Sequence, residues 1–287
     1  MAIIGLHDSD NTGFPNLALM KLSAFHKSKG DAVEWYQSLY TDKFDNIYSS
    51  KVFTWTSDLQ LRGNVLIGGT GYKAKHTLPE EIEHCCPDYT LYGNNYSMGF
   101  LTRGCIRKCE WCIVPEKEGG IRGHADIEEF ARHRDVVLLD NNVLASDYGI
   151  KQIEKMIKLN LRMDFNQGLD ARFINDSIAK LLSKAKWLSP IRLSCDTQNQ
   201  LPVIQKAVTL LRWHNATPRN YFVYVLVKEI PDALERIKFL KGMNLDPFAQ
   251  PYRDKDGKKP TKEQQKFARW VNHKAIFKSV AWEDYSG

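Results

Sequence analysis

Strand-like and helical runs alternate along the second half of this chain, and that alternation limits the fold more than any other feature. The strand-like runs fall at 97–102, 135–140, 162–166, 190–195, 221–227 and 246–251. Helical patterns lie between them at 127–133, 150–159, 176–185, 201–214 and 232–241. Parallel strands need long crossovers, usually helical, so the order predicts a parallel sheet covered by helices. Six such units are too few for a closed eight-fold barrel of about 250 residues, and predict an open, partial (β/α)6 barrel over 97–252.

The first 84 residues carry the same alternation on a smaller scale. An apolar run at 2–6 ends in His7-Asp8-Ser9-Asp10-Asn11, and Pro15 opens an amphipathic helix with Leu19, Leu22 and Phe25 on one face, closed by Gly30. Runs at 32–36, 51–55 and 64–67 suit further strands, the last meeting Gly68-Gly69-Thr70-Gly71. An α/β fold follows, with a small Rossmann-like domain over 1–84 and a linker at 85–96, where Cys85-Cys86-Pro87, Gly93 and Asn94-Asn95 punctuate the text. Asp8 and Asp10 suit a solvated turn that caps the following helix, with a cation or ribose contact as the alternative. The glycine turn is by itself weak evidence for a phosphate site.

Hydrophobic residues make up 43% of the 287, enough for a sizeable core, and no stretch approaches the roughly 20 apolar residues of a membrane span. The N-terminal segment has acidic residues and no basic region of the signal-peptide kind, so the expected location is cytoplasmic, with no membrane partner. Six cysteines in such a chain point away from disulfides and toward ligands or catalysis. The net charge of +6 is uneven: residues 252–287 hold nine Lys/Arg against five Asp/Glu. That tail, 253–287, suits a locally acidic partner better than it suits a whole-surface nucleic-acid binder.

Cys105, Cys109 and Cys112 stand in C-x3-C-x2-C spacing just after the first barrel strand. Three thiolates on one loop can hold three corners of a cubane and leave the fourth iron open, whereas ferredoxin spacings supply a fourth cysteine. A structural zinc wants four closed ligands; His124 could supply one, but twelve residues on in a glycine-bounded loop it reads rather as an ordinary surface residue. Packing cysteines of no common purpose are the plainest alternative.

The spacing, with Trp111 before the last cysteine, resembles the signature of the radical S-adenosylmethionine (SAM) superfamily. The longer phrase from Thr102-Arg103-Gly104 to Val114-Pro115 is similar to the loop of its cobalamin-domain and methylthiotransferase branches. The resemblance covers about 97–252 and implies a [4Fe–4S] cluster on Cys105, Cys109 and Cys112. It implies S-adenosyl-L-methionine on the open iron, an electron donor such as flavodoxin or ferredoxin, and a 5′-deoxyadenosyl radical that abstracts hydrogen from a substrate. It also places groups at strand C-terminal ends. Trp111, then Asp140, Asn141 and Asn142 after the second strand, Gln167 and Arg172 after the third, and Ser194 and Asp196 after the fourth are the implied cofactor contacts. Asp140, Asn141 and Asn142 each read equally as part of a polar turn, and Arg172 as the surface partner of Asp170. Cys195 is a candidate hydrogen-atom donor, or a small buried hydrophobe.

Two departures narrow the resemblance. The stretch Asp8-Ser9-Asp10-Asn11-Thr12-Gly13 lacks the histidine of the D-x-H-x-x-G cobalamin loop, so cobalamin is not expected and the first domain reads as a degenerate cobalamin-type one. The extra cysteine triad and RNA-binding barrel of methylthiotransferases are also missing. The expected activity is hydrogen abstraction from a macromolecule (RNA, DNA or peptide), with small molecules next. The alternative is an iron–sulfur or zinc protein associated with nucleic acid and without turnover. In the tail, Lys/Arg mixed with aromatics suit nucleic acid. Phe267, Trp270, Val271, Ala275 and Ile276 equally suit a helix packed on the barrel, and that helical packing is the favoured expectation.

Overall fold

The computed structural model describes residues 1–73, 77–216, 221–254 and 259–287. The chain is α/β with parallel sheets, in two compact units: Met1–Gly99 with Ala125–Arg134, and Phe100–His124 with Asp135–Gly287.

In the first unit, β1 (Ile3–Asp8) is followed by α1 (Leu17–Ser28), β2 (Ala32–Trp35), β3 (Asn46–Ser50) and β4 (Val65–Gly68). The four strands are parallel in the order β2-β1-β3-β4. Ile4 and Leu6 of β1 pack against Leu19 and Leu22 of α1 and against Ile82 of α2 (Glu80–Glu83). The helix starts two residues later than Pro15 suggested, because the Asn16 side chain accepts from the Leu19 amide at 3.3 Å and caps it. Asp8 and Asp10 are therefore not its caps. Asp10 accepts from the Val52 and Phe53 amides at 2.5 and 3.3 Å and from the Thr56 hydroxyl at 2.5 Å, and Asp8 accepts from Tyr92 at 2.7 Å. The same contacts explain why 51–55 is a turn and the strand lies earlier, at β3: a carboxylate captures two consecutive amides that a ladder would have used.

That device recurs. The run expected as one strand at 97–102 is broken into β5 (Ser97–Gly99) and β6 (Thr102–Arg103), since the Leu101 and Thr102 amides donate to the Asp140 carboxylate at 3.1 and 2.6 Å. β6 pairs antiparallel with β7 (Arg122–Gly123), and the cysteine loop, with the short α3 (Val114–Lys117), is the excursion between them. The helix expected at 127–133 stops as α4 (Ile127–Phe130), because the Ser97 hydroxyl accepts from the Arg132 and His133 amides at 2.8 and 2.9 Å.

The rest of the second unit alternates as its sequence does. The elements are β8 (Asp135–Leu138), α5 (Asp147–Lys158), β9 (Arg162–Phe165), α6 (Asp176–Leu182), β10 (Lys186–Trp187) and β11 (Ile191–Ser194). They continue with α7 (Leu201–Trp213), β12 (Tyr221–Val227), α8 (Ile230–Gly242) and β13 (Asp246–Pro251). Strands β8, β9 and β10 are parallel neighbours, as are β11, β12 and β13. A parallel bridge between Leu169 and Leu193, with the Leu169 amide donating to the Arg192 carbonyl at 2.8 Å, links the end of β9 to β11. In β12 every second side chain is buried (Tyr221, Val223, Val225, Val227), as a sheet face under helices requires.

The C-terminal segment packs. Thr261 and Gln264 form a capping box for α9 (Lys262–Asn272), and α10 (Lys274–Ser279) follows. Phe267, Trp270 and Val271 are buried, Ile276 is half-buried and Ala275 is exposed. The Asn272 side chain accepts from the Ala249 amide at 2.8 Å and donates to its carbonyl at 3.0 Å, so a side chain completes the edge of β13. Lys258, in the basic stretch, lies outside the described residues. Among those residues no helix is long and apolar enough to cross a membrane.

Candidate functional site

The base of the cysteine loop is fixed by geometry that only glycine tolerates. Gly104 has φ +80°, and a Cβ there would lie 2.2 Å from the Gly120 carbonyl oxygen. The Cys105 amide donates to the Gly119 carbonyl at 3.2 Å, and the Cys112 amide to the Cys109 carbonyl at 3.0 Å. Glu118 ties this base together. It accepts from the Gly104 amide at 3.0 Å and from Asn141 Nδ2 at 3.0 Å, and stands 3.5 Å from Arg103.

Above that base the three cysteines share one environment. Cys105 and Cys109 are partly buried and Cys112 is exposed. Burial pushes the Cys109 thiol up, and the neighbouring Cys112 and Cys105 push it further; burial also raises Cys112, with Cys105 and Asp196 adding to it. Among the described residues no three His, Cys, Asp or Glu side chains already stand as a metal site.

Asp170 is the hub beside them. Its carboxylate accepts from Arg172 Nε at 2.6 Å, Arg107 Nε at 3.3 Å and Asn142 Nδ2 at 3.2 Å. Burial alone would raise its pKa, but the bond and charge of Arg172 outweigh that and hold it below the usual carboxylate range. Asn142 is 3% exposed; its Nδ2 also donates to Cys105 Sγ at 3.5 Å, and its Oδ1 has no partner. On the other side of the loop the Lys228 ammonium stands 4.9 Å from the Trp111 ring, 4.9 Å from the Tyr252 ring and 3.3 Å from Glu110. The capping residue Gln264 donates to the Lys228 carbonyl at 2.7 Å, so the tail helix braces the segment that holds Trp111.

Residues at or just past the C-terminal ends of β9, β11 and β13, with Tyr224 from the middle of β12, line an open polar cavity of about 360 Å³: Asn166, Gln167, Ser194, Asp196, Tyr224 and Gln250. Burial raises the Asp196 carboxyl, although the Leu226 amide donates to it at 3.2 Å. Its charge also reaches Cys109 and Cys112, which places the cavity next to the cysteine loop.

No protein-family model matches this sequence, and no curated protein does.

Of the residues singled out from sequence, Cys105, Cys109, Cys112, Asn142 and Arg172 come together, and Gln167, Ser194 and Asp196 line the adjoining cavity. Asn141 braces Glu118, and Trp111 lies against Lys228. Asp140 does not face this group. It is 3% exposed, with both oxygens taken by Leu101 and Thr102, and burial pushes it up to about 6. Cys195 does not line the cavity either: strand alternation turns Ser194 and Asp196 inward and leaves Cys195 fully buried, its thiol pushed up to about 12 by burial. Asp170, Glu118 and Lys228 were missed. Asp170 was visible only as the surface partner of Arg172, and the other two sit at spacings that no local period marks.

Proposed function

We propose that this chain is a radical SAM enzyme, with a Rossmann-like first unit and a partial (β/α)6 barrel as its second, binding a [4Fe–4S] cluster through Cys105, Cys109 and Cys112. The observation that carries the reading is the donor set: three neighbouring thiols on one braced loop, with a buried amide donor on Cys105 and a polar cavity at the strand ends beside them. A donor set one ligand short fits a cluster with one iron open to a small molecule, and not a closed structural zinc. The orphaned Asn142 Oδ1 fits the same account, because a buried acceptor without a partner is costly unless a bound group donates to it. When bound, such a cluster supplies the electron that cleaves S-adenosyl-L-methionine to methionine and a 5′-deoxyadenosyl radical.

The chain's own residues bind and orient. Arg172 has one face on Asp170 and offers its remaining donors to the carboxylate of SAM. Asp196 and Ser194 offer acceptors to ribose hydroxyls, and Gln167 an amide to cofactor or substrate. The cavity lining is polar, which suits a polar substrate, with RNA, DNA or peptide first. Cytoplasmic location and an electron donor of the flavodoxin or ferredoxin kind belong to the same proposal.

Iron analysis tests it. Anaerobically purified protein should hold about four irons per chain. Cys105→Ala, Cys109→Ala and Cys112→Ala should each abolish this, and Cys85→Ala and Cys86→Ala should not. Stoichiometric zinc without iron would overturn the reading.

A further inference from the structure

The Asn142 side-chain amide is held in one orientation by its partners. The Asp170 carboxylate, kept ionised by Arg172, can only accept, so the atom 3.2 Å from its Oδ2 is the nitrogen. An amide nitrogen carries two hydrogens, and the second falls to Cys105 Sγ at 3.5 Å, a hydrogen-bonding distance for the larger sulfur atom. At 3% exposure water cannot replace that contact, and the Arg107 backbone amide donates to the same sulfur at 3.3 Å. Cys105 thus receives two N–H donors. Asn141, its neighbour in sequence, points its amide at Glu118 instead.

We infer that Asn142 sets the reduction potential of the cluster through its N–H bond to Cys105 Sγ, with Asp170 as the anchor that aims it. The inference rests on the reading of Cys105, Cys109 and Cys112 as cluster ligands. Hydrogen bonds to the sulfurs are one of the protein's means of setting such potentials. Reduction adds one electron, from an external reductant, and the extra charge is shared with the thiolate sulfurs. A fixed donor on one sulfur therefore stabilises the reduced state more than the oxidised one and raises the potential. Asn142 touches no reacting atom in this role; it is a positioning residue acting through Cys105.

The test is an EPR-monitored redox titration with dithionite, on full-length anaerobically reconstituted protein. Asn142→Leu and Asn142→Ala, which remove the donor, should keep wild-type iron content and shift the midpoint to more negative potential. Asn95→Ala, at an exposed asparagine of the first unit, should leave it in place. Asn142 variants that titrate with the wild type, or an equal shift in Asn95→Ala, would overturn the inference while leaving the cluster intact. A wild-type protein that holds no iron would defeat the cluster reading and this one together. Should the Asn142 variants fail to hold iron, asparagine side chains labelled with ¹⁵N in the wild-type protein decide: a ¹⁵N coupling in pulsed EPR supports the bond, and its absence refutes it.

Discussion

Replacing Gly104 with alanine separates two costs that the cysteine loop avoids. At φ +80° any residue with a Cβ is strained by about 1–2 kcal/mol. The new methyl would also lie 2.2 Å from the Gly120 carbonyl oxygen and 2.8 Å from that of Gly119, which also accepts the Cys105 amide. Neither carbonyl can withdraw without opening the loop, and overpacking of this kind costs about 1–3 kcal/mol. Gly104→Ala should therefore lose about 2–5 kcal/mol in total. Gly119 supplies the control: its φ is +74°, and a Cβ there meets nothing within 4 Å. Gly119→Ala should cost only the backbone strain, about 1–2 kcal/mol. Urea denaturation of anaerobic protein measures both, and iron content after reconstitution should fall in Gly104→Ala and hold in Gly119→Ala. Equal stability losses would refute the collision, and full iron in Gly104→Ala would refute the claim that this turn sets the cysteines.

Other consequences follow from single contacts. Asp140 has a pKa of about 6 in the fold against an ordinary 3.8, so its neutral form is favoured: the stability it contributes is complete below pH 3.8 and is lost as pH rises through 6. Relative to Asp140→Asn, the wild type should lose about 2 kcal/mol between pH 4 and 7 in urea titrations; parallel curves would contradict this. Trp270→Ala removes a buried ring and its bond to the Val280 carbonyl at 3.0 Å, and should cost about 3–5 kcal/mol by thermal or urea unfolding. An unchanged melting temperature would mean that the tail does not brace the second unit.

Where periodicity rules, the sequence was legible. The strands at 221–227 and 246–251 fall where alternation and apolar content put them, because buried strands under helices leave no other pattern. Side-chain capture of backbone amides was not legible. Asp10, Ser97 and Asp140 each take two consecutive amides from a distant segment, which moves the strand expected at 51–55, shortens the helix expected at 127–133 and splits the strand expected at 97–102. The same limit applies at the site. Cys105, Cys109 and Cys112 announce themselves by spacing, whereas Asp170 earns its place only by accepting at once from Arg107, Asn142 and Arg172.

The central claim is that the cysteine loop and the strand-end cavity together cleave SAM. Anaerobically reconstituted protein, given dithionite and S-adenosyl-L-methionine, should release 5′-deoxyadenosine, seen by liquid chromatography with mass detection. The Cys105→Ala, Cys109→Ala and Cys112→Ala proteins should release none. Wild-type protein loaded with four irons that yields no 5′-deoxyadenosine above the cysteine variants would contradict the account.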